Sequence, residues 1–233
     1  MTSVLDQKIG DVNGDRIPDL VYLVGIQEAG SPFTQQITLY IQDGKTRTTH
    51  AYSLKNNAGY NPTLQLVDFT GNGVDNILIV MDTGGSGGIT YSYVFSYLNN
   101  QLVLMFNDES YNAAHHYEIN YMDYYKVSAV SLTPSSSYII DITYKGQAYL
   151  SEIYNPDGRL KAPIQGDVNP LSSIYPIDFE RDGQYELMAL QRITGRYNAD
   201  GLGYVMNALK WNGSSFYPYQ QWVWITGSEG ENH

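Results

Sequence analysis

The sequence predicts an all-β fold, and three of its features lead to that prediction. The 233 residues include 22 Gly and 22 Tyr, and charged residues make up only 16%. Aromatic side chains favour the pleated surface of a sheet, and glycine favours tight turns. Apolar and polar residues alternate with the period of a strand in 37–42 and 89–98, whereas no stretch keeps a helical period. We therefore expect almost no helix.

The charge balance argues against several kinds of partner. The chain has 24 acidic and 13 basic residues, and its formal net charge is −11. Such a surface repels phosphates and anionic lipids, so we expect no nucleic-acid partner and no membrane insertion. The absence of cysteine excludes disulfides and thiolate sites. Because Met1–Val4 leads directly into polar sequence, we expect that an export signal has been removed from the chain.

An internal repeat of about 56 residues divides the chain into four units. Aspartates at 11, 68, 123 and 178 each begin a similar segment, with spacings of 57, 55 and 55 residues. Four such units fill the chain. The pattern predicts one domain over 1–226, followed by a disordered tail or tag remnant over 227–233.

Each unit is expected to contain four strands, which in the first unit are 20–25, 36–42, 47–54 and 63–69. Hairpin turns are expected where residues that tolerate positive φ separate two alternating runs, namely at Asp43-Gly44, Asn99-Asn100, Lys145-Gly146 and Asn212-Gly213. Four-stranded units repeated around an axis form a β-propeller. The last unit has only three strands, so we predict that segment 3–12 supplies the fourth and closes a four-bladed propeller. A β-sandwich with coincidental loops is the alternative.

Segment 11–19 has the pattern of a calcium-binding loop. Oxygens at its first, third, fifth and ninth positions and the carbonyl at the seventh can converge, because Gly14 permits a tight curl. The candidate ligands are Asp11, Asn13, Asp15, the carbonyl of Ile17 and Asp19. Three aspartates brought together without a cation would repel one another, so we expect Ca²⁺ here. An ion-free turn is the alternative, since Asp, Asn and Gly favour turns in any case.

Two further segments carry weaker versions of this pattern. In the second, the candidate ligands are Asp68, Thr70, Asn72, the carbonyl of Val74 and Asn76, with Asp75 displaced by one place. In the third, they are Asp178, Glu180, Asp182, the carbonyl of Gln184 and Glu186. There Arg181 replaces the glycine and offers a positive charge in place of a metal. The sequence leaves open whether either segment binds a metal. It predicts no ion at 123–131, where Val127 and Ala129 replace polar residues.

These segments resemble the FG-GAP/VCBS family of calcium-loop propeller repeats, known from integrin α-subunit heads and many bacterial surface proteins. The resemblance rests on the pattern D-x-N-G-D-x-x-x-D-L at 11–20 and its partial recurrence at 68 and 178. Propellers of this family often have seven blades, whereas the spacing here supports four. The resemblance implies a secreted or cell-surface binding module that Ca²⁺ stabilises, and it does not imply catalysis.

The functional expectation is a non-enzymatic adhesion or binding module for a protein or a glycan, with Ca²⁺ in a structural role. The motifs of serine hydrolases, zinc proteases and P-loop enzymes are absent. The alternative is a carbohydrate-active enzyme, a polysaccharide lyase or hydrolase with its site at the propeller axis. Neighbours on a strand face opposite ways, so at most one of His115 and His116 would join a site. We expect this pair on a surface loop.

Overall fold

The computed structural model describes residues 1–225, and the all-β prediction is confirmed: fifteen strands and two short helices form the fold within that range. The predicted tail at 227–233 lies outside the described residues. The elements are β1 (Thr2–Gly10), β2 (Asp19–Gln27), β3 (Phe33–Gln42), β4 (Thr49–Ser53), β5 (Gly59–Val67), β6 (Asn76–Asp82), β7 (Thr90–Ser96), β8 (Val103–Asn107), α1 (Asp108–Ala114), β9 (Tyr117–Met122), β10 (Lys126–Leu132), β11 (Ser135–Asp141), α2 (Gly146–Ile153), β12 (Asp167–Ile177), β13 (Glu186–Thr194), β14 (Gly201–Trp211) and β15 (Phe216–Trp224).

The strands follow one another as four antiparallel meanders, which we number along the chain. Meander 1 is β1–β4, meander 2 is β5–β8, meander 3 is β9–β11 and meander 4 is β12–β15. A short pairing of β3 with β5 joins meanders 1 and 2 into one eight-stranded sheet, while meanders 3 and 4 are separate sheets. Short local connections favour this order, because closing a short loop costs little conformational entropy.

The predicted role of the N-terminal strand is wrong. Strand β1 pairs with β2 in meander 1, from Thr2↔Ile26 to Gly10↔Asp19, and meander 4 has four strands of its own. The predicted units began at each Asp segment, whereas each meander begins one strand earlier. Strand β1 therefore folds back on its immediate neighbour in sequence, which is the pairing with the shorter loop to close.

Three apolar clusters show how the meanders pack. Meander 1 packs on one face of meander 2, with Leu23 and Ile79 in a shared cluster. The other face of meander 2 packs on meander 4, where Leu78 and Leu187 share a cluster. Meander 4 in turn packs on meander 3. The packing order within residues 1–225 is therefore 1, 2, 4, 3, and a closed four-bladed ring is not confirmed.

Three of the four predicted hairpin turns are confirmed, and Lys145-Gly146 is wrong. The turns near residues 43, 99 and 212 join β3 to β4, β7 to β8 and β14 to β15. At Gly146 the chain instead begins α2, which buries Leu150 and Ile153 in the cluster between meanders 3 and 4. Helices of seven and eight residues are too short for a helical period to stand out in the sequence. Within residues 1–225, no helix is long and apolar enough to cross a membrane.

Candidate functional site

The segment 11–19, here called loop one, connects β1 to β2 and is held by hydrogen bonds from its own backbone. The Asp11 carboxylate accepts the N–H of Gly14 at 2.7 Å and that of Arg16 at 2.8 Å. Both donors are left-handed, with φ of 86° and 66°. At the end of the loop, the fully buried Asp19 carboxylate accepts the N–H of Val12 at 3.1 Å. Loop one is thus folded around carboxylates at its first and ninth positions.

Segments 68–76 (loop two) and 178–186 (loop three) repeat this pattern at the same place in meanders 2 and 4. Asp68 accepts the N–H of Gly71 and Gly73, both at 2.7 Å. Asp178 accepts the N–H groups of the fifth and sixth residues of its loop, both at 3.1 Å. The ninth residues, Asn76 and Glu186, are buried and accept the N–H of the second residue at 3.0 and 3.1 Å. The bonds from the sixth residue to the first side chain and from the second residue to the ninth are therefore common to all three loops.

The three loops are joined in a row by backbone hydrogen bonds. The N–H of Asp75 in loop two donates to the carbonyl of Asp11 in loop one at 2.9 Å. The N–H of Tyr185 in loop three donates to the carbonyl of Asp68 in loop two, also at 2.9 Å. Each donor is the eighth residue of its loop. In loop one that position is Pro18, which has no N–H and stands at the end of the row.

In meanders 1, 2 and 4, a residue at the end of the third strand or directly after it lies opposite the ninth residue of the loop. The pairings Leu20↔Gln42, Ile77↔Phe95 and Leu187↔Leu209, each extended by one residue, place Asp43 opposite Asp19, Ser96 opposite Asn76 and Lys210 opposite Glu186. We call this the opposing residue. It is an acid in loop one, neutral in loop two and a base in loop three, so the three loops differ in charge although their backbones are alike.

Loop one concentrates negative charge. Asp11, Asp15, Asp19 and the opposing Asp43 make no ion pair within residues 1–225. Burial raises the pKa of Asp19, and the carboxylates of Asp43 and Asp11 raise it further, against the lowering effect of the Gly44 and Val12 N–H groups. The Asn13 amide lies between the two buried acids, with Nδ2 3.4 Å from Asp19 Oδ1 and 3.3 Å from Asp43 Oδ2.

A polar cavity of about 320 Å³ opens beside this loop. Its lining is rich in side-chain oxygen and consists of Asn13, Gly14, Asp15, Asp43, Lys45, Thr46, Asn99 and Asn100. Two of the lining residues are carboxylates, and three are amides, one from loop one and two from the turn between β7 and β8. Hard divalent cations prefer oxygen ligands of this kind.

The candidate ligands of loop one mostly serve as backbone acceptors. Asn13 Oδ1 accepts the N–H of Asp15, and Asp15 Oδ1 accepts that of Ile17, both at 2.9 Å. Both carboxylate oxygens of Asp11 and of Asp19 also accept N–H groups. Among the described residues, no group of three or more His, Asp or Glu side chains is arranged to hold a metal ion. The assignment of these residues as calcium ligands stays a prediction.

In loop two, the side chains of Thr70 and Asn72 are likewise engaged within the loop. Thr70 Oγ1 donates to Asp68 Oδ1 at 3.1 Å, and Asn72 Oδ1 accepts the N–H of Val74 at 2.9 Å. Asp75 lies between the first two loops. Burial raises its pKa, and the carboxylates of Asp68 and Asp11 raise it further.

In loop three, the internal positive charge comes from Lys210, and the suggested role of Arg181 is wrong. Lys210 Nζ donates to Glu180 Oε2 at 2.7 Å and lies 3.6 Å from Glu186 Oε1. Arg181 takes the left-handed fourth position, with φ of 57°, and makes no ion pair within residues 1–225. Lys210 comes from β14, 24 residues beyond Glu186, so only the strand register brings them together.

The predicted fourth segment at 123–131 does not form a similar loop. Strand β10 begins at Lys126, so a tight turn joins it to β9, with Tyr124 and Tyr125 left-handed. Asp123 Oδ1 accepts the N–H of Leu160 at 2.9 Å, far along the sequence. The spacing of 55 residues located the right turn, but the turn lacks the length to curl around a carboxylate.

Comparison with known proteins identifies one matching family model and one curated relative. Residues 115–224, which include meanders 3 and 4, match the family model described as the YybI C-terminal domain. Over 220 residues, the chain is 53% identical to the protein "Uncharacterized protein YybI" of Bacillus subtilis (strain 168), covering 94% of this chain and 84% of the relative. The chain belongs to the YybI family. No solved structure matches it.

Membership of the YybI family corrects the predicted FG-GAP/VCBS assignment, which is wrong. The matching family model and relative are both YybI, and no FG-GAP/VCBS model matches. The resemblance rested on nine or ten residues in one loop and their partial recurrence in two others, and Asp, Asn and Gly at those positions suit the hydrogen bonds within each loop. A local turn pattern of this kind can occur in unrelated folds.

The match to the family model begins at His115, whose predicted position on a surface loop is wrong. His115 caps α1 and is buried, with Nδ1 2.8 Å from the Tyr111 carbonyl and its ring stacked on Tyr111 at 4.1 Å. Burial lowers the pKa of this imidazole. His116 is exposed. The two rings thus have different surroundings, as expected for neighbours in an extended segment.

The buried carboxylate of Asp200 lies between meanders 3 and 4, within the residues that match the family model. The Asp200 carboxylate accepts hydrogen bonds from Tyr149 Oη at 2.7 Å, from Lys145 Nζ at 3.0 Å and from the N–H of Arg196 at 3.0 Å. Burial opposes ionisation of this group, but the hydrogen bonds outweigh it and lower the pKa of Asp200. The sequence carries no signal for this cluster around Asp200, because its members come from α2 and two loops with no shared motif.

Proposed function

We propose that this protein is a non-catalytic, calcium-binding module that presents its loops to a protein or a glycan at the cell surface or outside the cell. The observation that carries the proposal is the set of four carboxylates in and opposite loop one without an ion pair among the described residues. A bound divalent cation would offset that charge.

The cavity beside loop one supports a cation held by few protein charges. Asp15 and Asp43 would supply carboxylate oxygens, and Asn13, Asn99 and Asn100 would supply amide oxygens, with water completing the shell. Two carboxylates give a lower affinity than a site built from four or five. Weak binding, with Kd of about 10⁻⁴–10⁻³ M, is typical of extracellular modules.

The four meanders support a proposal of repeated units in place of a closed propeller. Meanders 1, 2 and 4 carry, at the same connection, loops whose first carboxylate accepts the N–H of the sixth residue. We propose that they derive from one four-stranded unit. The carbohydrate-active alternative placed its site at the axis of a closed ring, and such a ring is not confirmed within residues 1–225.

Thermal unfolding of chelator-treated protein, with and without added Ca²⁺, tests the proposal. At a calcium concentration about 100-fold above Kd, binding to the folded state alone contributes about 2.7 kcal/mol. The double variant Asp15→Asn/Asp43→Asn should lose this gain. Asp157→Asn is a matched control, because Asp157 pairs only with exposed Arg159 at 3.8 Å. No rise in Tm with Ca²⁺, together with no binding heat in calorimetry, would contradict the proposal.

A further inference from the structure

We infer that Lys210 acts as a built-in cation for loop three, and that the opposing residue decides whether a loop is balanced by an external divalent cation or by an internal ammonium group. For loop one this inference rests on the proposed function. For loop three it stands on the contacts of Lys210 alone.

The position of Lys210 is set by strand register. It lies on β14 opposite Glu186, one residue beyond the pair Leu187↔Leu209. Asp43 holds the corresponding position opposite Asp19, one residue beyond Leu20↔Gln42. The same place in two similar loops therefore carries opposite charges.

The contacts of Lys210 are those of a charge that balances buried acid. Glu186 is fully buried, and its Oε1 has no hydrogen-bond partner among the described residues while lying 3.6 Å from the Lys210 ammonium. The same ammonium donates to Glu180 at 2.7 Å and packs 5.8 Å from the ring centre of Tyr219. Burying a charge is costly unless an opposite charge lies close to it, as this ammonium does.

Loop two supplies the neutral case. Its ninth residue is Asn76, an uncharged amide, and its opposing residue is Ser96. No buried acid at the ninth position needs balancing there. The opposing residues of the three loops thus differ in charge. In every loop, however, the side chain of the ninth residue accepts the N–H of the second residue.

A tethered ammonium differs from a bound metal in one measurable respect. Its local concentration is fixed by the chain, so the stability of loop three should not depend on free Ca²⁺. Removing the ammonium would leave Asp178, Glu180, Asp182 and Glu186 without their internal cation. The vacated position then suits a divalent ion surrounded by oxygen ligands.

The variant Lys210→Met tests this inference, with Ca²⁺ as the probe. In chelator, its Tm should fall below that of the wild type. Added Ca²⁺ should recover it by a larger increment than the wild type shows, and calorimetry should record one more bound calcium per chain. Lys55→Met is the matched control, because Lys55 pairs with Glu109 at an exposed site. Lys210→Arg, which keeps the charge, should behave as the wild type does.

The reciprocal variant Asp43→Lys should make loop one insensitive to calcium and remove one bound ion. An equal calcium response in Lys210→Met and the wild type would overturn the inference. So would a Lys210→Met chain that stays unfolded at about 10 mM Ca²⁺, well above the weak range of Kd for such modules. If the wild type binds no calcium while Lys210→Met does, the proposed function fails and the role of Lys210 stands.

Discussion

The backbone N–H of Asp75 in loop two donates to the carbonyl oxygen of Asp11 in loop one at 2.9 Å. The two loops begin 57 residues apart in the sequence. The bond from Tyr185 to Asp68 repeats it between the next two loops. These bonds align three carboxylate-centred loops on one side of meanders 1, 2 and 4. Each bond therefore ties the backbone of one loop to that of its neighbour.

The first prediction concerns the link between loops two and three. Tyr185→Pro should lower the free energy of unfolding by about 1 kcal/mol more than Tyr185→Ala, because only proline removes the N–H donor. Loop one, which stands at the end of the row, already holds proline at this position. Urea unfolding of both variants measures the difference. Equal stabilities would show that the bond between the loops contributes nothing.

The second prediction concerns pH and Asp75. Burial and the nearby carboxylates raise the pKa of Asp75 in the folded protein above its ordinary value of 3.8. The folded state then binds this proton more tightly than the unfolded chain, so stability falls as pH rises from 3.8 through the folded-state pKa. In chelator, Asp75→Asn should be more stable than the wild type at pH 7 by about 0.5 kcal/mol. The gain should vanish below the unfolded-state pKa.

Denaturant unfolding across this pH range, with the exposed Asp157→Asn as control, measures the effect of Asp75. A gain that persisted unchanged in acid would point to packing of the amide and against relief of charge repulsion. Added Ca²⁺ should reduce the gain, since a bound cation near loop one also relieves the repulsion.

The third prediction concerns Asp200, whose pH dependence has the opposite sign. Its folded-state pKa is lowered, so it contributes stability above 3.8 that is lost as pH falls through the folded-state pKa. Asp200→Asn should lower the free energy of unfolding at pH 7 by about 3 kcal/mol, because Lys145 and Tyr149 lose a buried anionic acceptor. The deficit should shrink in acid, where the wild-type carboxyl is protonated. A deficit independent of pH would assign the loss to packing.

The fourth prediction concerns the turn that faces loop one. A methyl group added at Gly44 would lie 2.0 Å from the carbonyl oxygen of Pro18, which is backbone and unable to rotate away. Gly44→Ala should therefore cost more than about 2 kcal/mol and weaken calcium binding with it. At Gly85 the nearest atom would be Thr83 Oγ1, 3.4 Å away, so Gly85→Ala is the control. Thermal unfolding that ranked the two variants equally would contradict the close approach.

The sequence by itself predicted the all-β class, the three carboxylate loops and three of the four hairpin turns. These features are local: Asp11 bonds to N–H groups three and five residues away, and Gly14 adopts its positive φ within the same turn. Patterns of that range are visible in a single sequence. Because such local patterns can occur in unrelated folds, the loops also suggested the wrong family.

The tertiary structure alone decided which distant residues meet. The pairing of β1 with β2, the packing order of meanders 1, 2, 4 and 3, and the replacement of a hairpin by α2 each depend on burial between segments far apart in sequence. The opposing residues Asp43 and Lys210 lie 24 residues beyond Asp19 and Glu186, and only strand register sets one beside the other. Because the backbones of the loops are alike, this non-local choice determines the charge that each loop carries.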